Sequence, residues 1–294
     1  MSKKIFLACV AVLFAACSTD NDNNISGDTL VPVTVRVSDF SVSQEEFPGT
    51  RATTAPASYE GIDAITLAFY TEDGTEQYKT TQLKSNLPSG KTFGEIELSL
   101  PIGSYTMVVI GRGHFSGDIF TLESPASAFY DCEHVRETFT CTQDVKIGNC
   151  DPVELSATLN RIVAQVAVVS TDAKTPNVAR IRTSFSAGGK SFNPTTGLAL
   201  DNTGFSNTVY GEGNTGQTTS ALNFLFLASD EQKMDVTIET LDAQGNALFS
   251  KTVPNVPLRR NRVTTLTGAM YSPAAATATF TLSTDWLPGN NLNF

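Results

Sequence analysis

Few of the side chains that usually do chemistry stand in a usable pattern. His114 and His134 are the only histidines, so acid–base catalysis by imidazole has little to draw on. Glu45-Glu46 is an obvious carboxylate pair, but it lies in a polar stretch broken by Pro48-Gly49, which is loop composition rather than a cleft. Gly111-Arg112-Gly113 is followed by neither a Lys-Ser/Thr pair nor a helix start, so it reads as a turn and not a phosphate loop. No nucleophile elbow or paired-histidine zinc motif occurs. Cys132, Cys141 and Cys150 could supply one disulfide and a free thiol in an oxidising compartment, with the pair left open. A zinc site using them with His134 would want closer cysteine spacing. Catalytic, cofactor and metal residues are therefore expected to be absent. The candidate places for chemistry done to the chain are Cys17 and the stretch at Arg51-Ala52, which follows Pro48-Gly49-Thr50 and precedes a Thr/Ala/Pro run, the composition of an exposed and cleavable loop.

Each of these two places needs a segment to present it. Residues 1–17 carry Lys3-Lys4, then an apolar run from Ile5 to Phe14 too short to span a bilayer, then Ala15-Ala16 before Cys17, which is the pattern of an export signal. Leu13-Phe14-Ala15-Ala16-Cys17 resembles a bacterial lipobox, in which the cysteine is acylated and becomes the new N-terminus. Ser18 to Asn24 would be a polar, acidic stalk. Starting at Cys17 leaves 18 basic against 30 acidic residues. A surface of that sign argues against nucleic acid as a partner.

Arg51 is presented by the stretch Leu30 to Ala52. Val31, Val33, Val35 and Val37 alternate with Pro32, Thr34, Arg36 and Ser38, the period of a strand with one buried face. Pro32 has no N–H for a ladder, which places this strand at a sheet edge. From an edge it could leave; from mid-sheet it could leave only if the fold did not unravel.

The rest reads as β structure, rich in valine and threonine, with turn signals between short alternating runs. Residues 64–70 and 77–83 flank Asp73-Gly74; 95–100 and 104–110 flank Pro101-Ile102-Gly103; Val135 to Ile147 closes the unit. Phe115 to Glu133 reads as an irregular excursion. Gly148-Asn149-Cys150-Asp151-Pro152 marks the expected boundary, giving a 52–150 sandwich and a 151–294 sandwich opened by one long strand from Val153 to Val169. Asn177 to Phe185 could be strand or a helical turn. Gly188 to Thr219 reads as a surface loop, and Arg259-Arg260-Asn261-Arg262 as a solvated basic turn. The last alternating run sets Ala276, Ala278, Phe280 and Leu282 on one face.

In order and spacing, these features resemble the Bacteroidales fimbrillins (FimA-type, type V pilins). The resemblance rests on Cys17, the first strand, Thr50-Arg51-Ala52, Leu159-Asn160-Arg161-Ile162-Val163-Ala164, and Val256-Pro257-Leu258-Arg259-Arg260-Asn261-Arg262 before the terminal strand. It implies an all-β chain of two stacked transthyretin-like antiparallel β-sandwich domains. It also implies an outer-membrane lipoprotein precursor anchored through Cys17, with residues 18–51 as a removable propeptide. An Arg-specific protease would cut after Arg51. The vacated valine slot would take a terminal strand, residues 276–282, from another fimbrial subunit, giving a head-to-tail adhesive polymer. An uncleaved anchor, minor or tip subunit is one alternative. A surface glycan-binding lipoprotein, with Trp286, Tyr210 and Phe205 as a stacking platform, is another.

Overall fold

A computed structural model describes residues 29–42, 52–54, 58–210, 215–271 and 281–283. Its strands are β1 (Leu30–Val42), β2 (Ala52–Thr54), β3 (Ala64–Thr71), β4 (Glu76–Leu83), β5 (Glu95–Pro101), β6 (Gly103–Arg112), β7 (Phe120–Ser124), β8 (Ser127–Tyr130), β9 (Thr138–Ile147) and β10 (Val153–Arg161). They continue as β11 (Ala164–Ser170), β12 (Arg180–Phe185), β13 (Ser191–Phe192), β14 (Phe205–Tyr210), β15 (Ser220–Leu225), β16 (Glu231–Leu241), β17 (Ala247–Arg259), β18 (Val263–Gly268) and β19 (Thr281–Ser283). The chain is all-β, and two sandwiches account for most of it.

The first sandwich is one sheet folded on itself. Its order is β2-β1-β10-β9-β6-β3-β4, with β5 on β1 beside β2. β10 touches β9 only at Asn160/Thr140 and Arg161/Phe139, so the sheet can bend there. Inward residues of β1, β5 and β10 share one core with those of β3, β6 and β9, including Val33, Val35, Ile96, Leu159, Leu67, Met107 and Phe139. In the second sandwich, β15-β11-β18-β19 faces β14-β12-β16-β17 across a core that includes Val166, Val168, Ile181, Val236, Ile238 and Leu266. The antiparallel rule has two exceptions, β1 on β10 and β11 on β18.

A small third sheet, β13-β8-β7, explains why β3 and β6 are apolar on both faces. Ala68, Tyr70, Val108 and Ile110 point away from the first core and pack under Leu122, Ala128, Tyr130 and Phe192 of this sheet, with Phe226 of the second unit. Strands covered on both sides read as continuous apolar runs.

Several expectations need correction. The excursion from Phe115 to Glu133 holds the β7-β8 hairpin, and the expected loop from Gly188 to Thr219 holds β13 and β14. Asn177 to Phe185 resolves into strand β12. The long strand from Val153 to Val169 breaks at Ile162-Val163, and its first half, β10, pairs with β1 and β9 in the first sandwich. The second sandwich therefore opens at β11 and not at residue 151. Apolar residues on both sides of the break hide it, because Ile162 and Val163 are themselves buried between the units.

The largest correction concerns β1. It lies in mid-sheet, parallel to β10 on one side and antiparallel to β5 on the other. Pro32 is tolerated because the β10 ladder begins one residue later, at Val33/Val153.

Candidate functional site

Val31, Val33, Val35 and Val37 are 0 to 5% exposed and fill a strand-shaped slot. Ile96 and Leu100 of β5 flank them on one side, Ala157 and Leu159 of β10 on the other. The partner register is Val33 to Leu98 and Val153, then Val35 to Ile96 and Leu155. A shift between Val37 and Asp39 leaves Ser38 unregistered, with its hydroxyl close to Ala157 O and to Ser156 Oγ.

On the solvent face Arg36 bridges both neighbours, with Nη2 3.0 Å from Glu95 and Nη1 2.9 Å from Glu154. Hydrogen bonding to Glu95, then the charge of Glu154, raises its already high pKa. Exposed pairs of this kind set register more than stability.

The far end of β10 is held by a withdrawn polar cluster. Arg161 donates from Nη2 to the Tyr59 hydroxyl at 2.6 Å and faces Glu137 Oε1 at 2.7 Å, while Nη1 donates to Asn261 Oδ1 at 3.0 Å. Tyr59 in turn donates to Glu137 at 2.6 Å. Burial and then the Glu137 charge push the Tyr59 phenol well up, so it stays a donor. The guanidinium also stacks on Phe139 at 4.8 Å. Asn261 belongs to the turn between β17 and β18, so the cluster joins the two units as well as fixing β10. Its signal in the sequence is an arginine at an inward position of an alternating strand.

The other expected site residues are placed unevenly. Cys17, Arg51, Ala276, Ala278 and Phe280 lie outside the described residues, as does Trp286. Ala52 opens β2, paired with Val42 of β1. Leu282 lies in β19, three residues long on the sheet edge, paired with Leu266 of β18. The stacking platform is not assembled: Tyr210 is 81% exposed, whereas Phe205 packs against Phe185 at 5.3 Å in the second core. Cys132 and Cys141 are free thiols. Cys132 donates to His134 O, and burial raises the pKa of Cys141. Among the described residues no three His, Cys, Asp or Glu side chains are grouped to hold a metal. No helix among them is long and apolar enough to cross a membrane.

Residues 117–285 match a family of unknown function, DUF6562, and the chain belongs to that family. No curated protein matches it. Among solved structures, the chain resembles a Bacteroides thetaiotaomicron protein provisionally described as polysaccharide binding, at 12% identity and a TM-score of 0.52, covering 82% of this chain and 92% of that one. A Bacteroides ovatus protein provisionally described as an adhesin matches at 11% identity and a TM-score of 0.51, over 88% and 97% of the two chains. The fimbrial anchor protein Mfa2 of Porphyromonas gingivalis aligns at 14% identity and a TM-score of 0.48, over 88% and 98% of the two chains. The first two likenesses show a shared all-β fold.

Proposed function

We propose that this chain is an exported subunit of a cell-surface adhesion fimbria, and that β1 is a replaceable strand holding the place of a neighbouring subunit. The observation that carries this reading is the four-valine slot with a ladder on each side, joined to the body by a link ending at Arg51-Ala52. Emptying the slot would uncover the apolar groove that four valines fill, at roughly 1.5 to 3 kcal/mol for each, on the order of a domain's whole net stability. A vacancy of that cost must be refilled, and a strand with matching alternation refills it with backbone bonds on both sides. Ala276, Ala278, Phe280 and Leu282 have that alternation, and among the described residues β19 has a three-residue edge ladder to give up. Because donor and acceptor differ, the contact propagates head to tail.

The mid-sheet position sets the terms of exchange. Without β1, β10-β9-β6-β3-β4 remains a contiguous ladder, with β10 fixed by Arg161, whereas β5 and β2 lose the strand they are laddered to. That loss favours a second reading, an anchor or minor subunit that keeps its opening strand and its lipid at Cys17. The N-terminus of protein recovered from cells separates the two: Ala52 for the cleaved subunit, acylated Cys17 for the anchor. Arg51→Ala should leave a folded, lipid-bound monomer; filaments on cells carrying that change would rule out the cleavage reading.

A further inference from the structure

The solvent rim of the β1 slot is acidic, and its charges discriminate among strands that could refill it. The outward residues of β5 beside β1 are Glu95, Glu97 and Ser99, and those of β10 are Glu154, Ser156 and Thr158. Thr34 lies in register with Glu97 on one side and Glu154 on the other, and Arg36 with Glu95 and Ser156. Three carboxylates therefore border two successive outward places of the strand between them. Arg36 is the cation that β1 sets there, 3.0 Å from Glu95 and 2.9 Å from Glu154. Glu97 is met from outside the slot, by Lys91 at 2.7 Å.

Both walls have attachments that do not pass through β1. Gln82 of β4 holds the start of β5: its Nε2 donates to Thr92 O and to Glu95 O, both at 3.2 Å, and its Oε1 accepts from Gly94 N at 2.8 Å. Glu154 is carried by β10, whose far end is fixed by Arg161. Loss of β1 would leave Glu95 and Glu154 on either side of the vacancy without the cation between them. Like charges so placed select against a replacement that brings no positive charge.

The chain's own terminal strand brings none. Setting Ala276, Ala278, Phe280 and Leu282 inward would set Thr277, Thr279, Thr281 and Ser283 outward, with Asp285 next on that face. No Lys or Arg lies between Arg262 and Phe294, so no register or direction of this segment supplies the charge.

We infer that the strand replacing β1 comes from a different subunit, one with Arg or Lys at the outward place that Arg36 holds, and not from a second copy of this chain. The assignment rests on the reading of β1 as replaceable and names its partner: the apolar slot accepts an alternating strand, and the acidic rim chooses among such strands. Charges at the edge of an interface act in this way, on partner choice more than on total affinity.

The test uses the full chain nicked after Arg51, at intermediate urea and low salt, with labelled peptides competing against the β1 fragment. The peptides are residues 274–284 and the same sequence with Thr281→Arg or Thr277→Arg. These place the guanidinium beside Glu95 and Glu154 for a strand running with β1 or against it, respectively. One arginine peptide should bind about tenfold tighter than the unchanged peptide, the scale that two exposed ion pairs allow. The preference should vanish in about 0.5 M salt and in the chain carrying Glu95→Gln with Glu154→Gln. Equal entry of all three peptides, or a preference that survives removal of both carboxylates, would overturn the charge selection and leave the replaceable strand standing. Entry of no peptide would overturn the replaceable strand itself, and the choice of partner with it.

Discussion

Arg161 Nη2 lies 2.7 Å from Glu137 Oε1, and both side chains are almost wholly withdrawn from water. A buried pair contributes little over an apolar pair of similar shape, but removing one member strands the other's charge. Arg161→Met should therefore lower stability by about 3–5 kcal/mol. Glu137→Gln, which keeps an acceptor for Tyr59 but strands the Arg161 charge, should likewise cost about 3–5 kcal/mol. Urea midpoints at constant slope measure both.

Asp118 gives the fold an acid-sensitive point. Burial alone would raise its pKa, but Arg136 donates to both carboxylate oxygens at 2.8 Å and Phe115 N–H adds a third bond, so the net shift is downward. A carboxyl whose folded pKa is depressed contributes stability above its ordinary value near 4, and that contribution is lost as pH falls through the lower folded value. Asp118→Asn should cost about 1.5–3 kcal/mol at pH 7 and progressively less as the pH falls below about 4. Melting temperatures across that range show the difference narrowing towards acid.

Much of this architecture was legible along the chain, because strand period and turn residues are local. Ala64 to Thr71 and its return across Asp73-Gly74 need no distant information. Which strands become neighbours does. Pro32 forbids a ladder only at its own nitrogen, and the β10 partner that begins at Val33 lies over a hundred residues away. The short hairpin at Phe120 to Tyr130 was hidden for another reason: its strands are stable through the faces of β3, β6 and Phe226 they cover, not through their own length. Likewise the basic turn at Arg259 to Arg262 reads as solvated until Asn160, Arg161 and Thr196 are brought opposite it.

Phe192 is where the small sheet meets the second unit. Its ring stacks on Phe226 at 4.3 Å and lies 6.4 Å from Phe120. Phe192→Ala should cost about 3–5 kcal/mol, a transfer and cavity loss at a fully buried site. Phe192→Leu should recover more than half. Thermal unfolding of both variants decides it, and a cost under about 1 kcal/mol for the alanine change would mean that the stack contributes little.

The mid-sheet position of β1 makes a prediction that an edge strand would not. Cutting after Arg51 removes a covalent link but leaves the β10 ladder, the β5 ladder and four buried valines in place. At roughly 1.5 to 3 kcal/mol per valine, spontaneous loss of the cut strand is negligible on a laboratory timescale. After limited proteolysis at Arg51, the fragment carrying β1 should co-elute with the body in native buffer and separate only near the urea midpoint of the intact chain. A peptide spanning 274–284, added in excess at intermediate urea, should take the vacated place and restore the cooperative transition, whereas the same peptide with Phe280→Asp should not. Release of the cut strand in native buffer would mean that the slot is held far more weakly than its ladders and valines require.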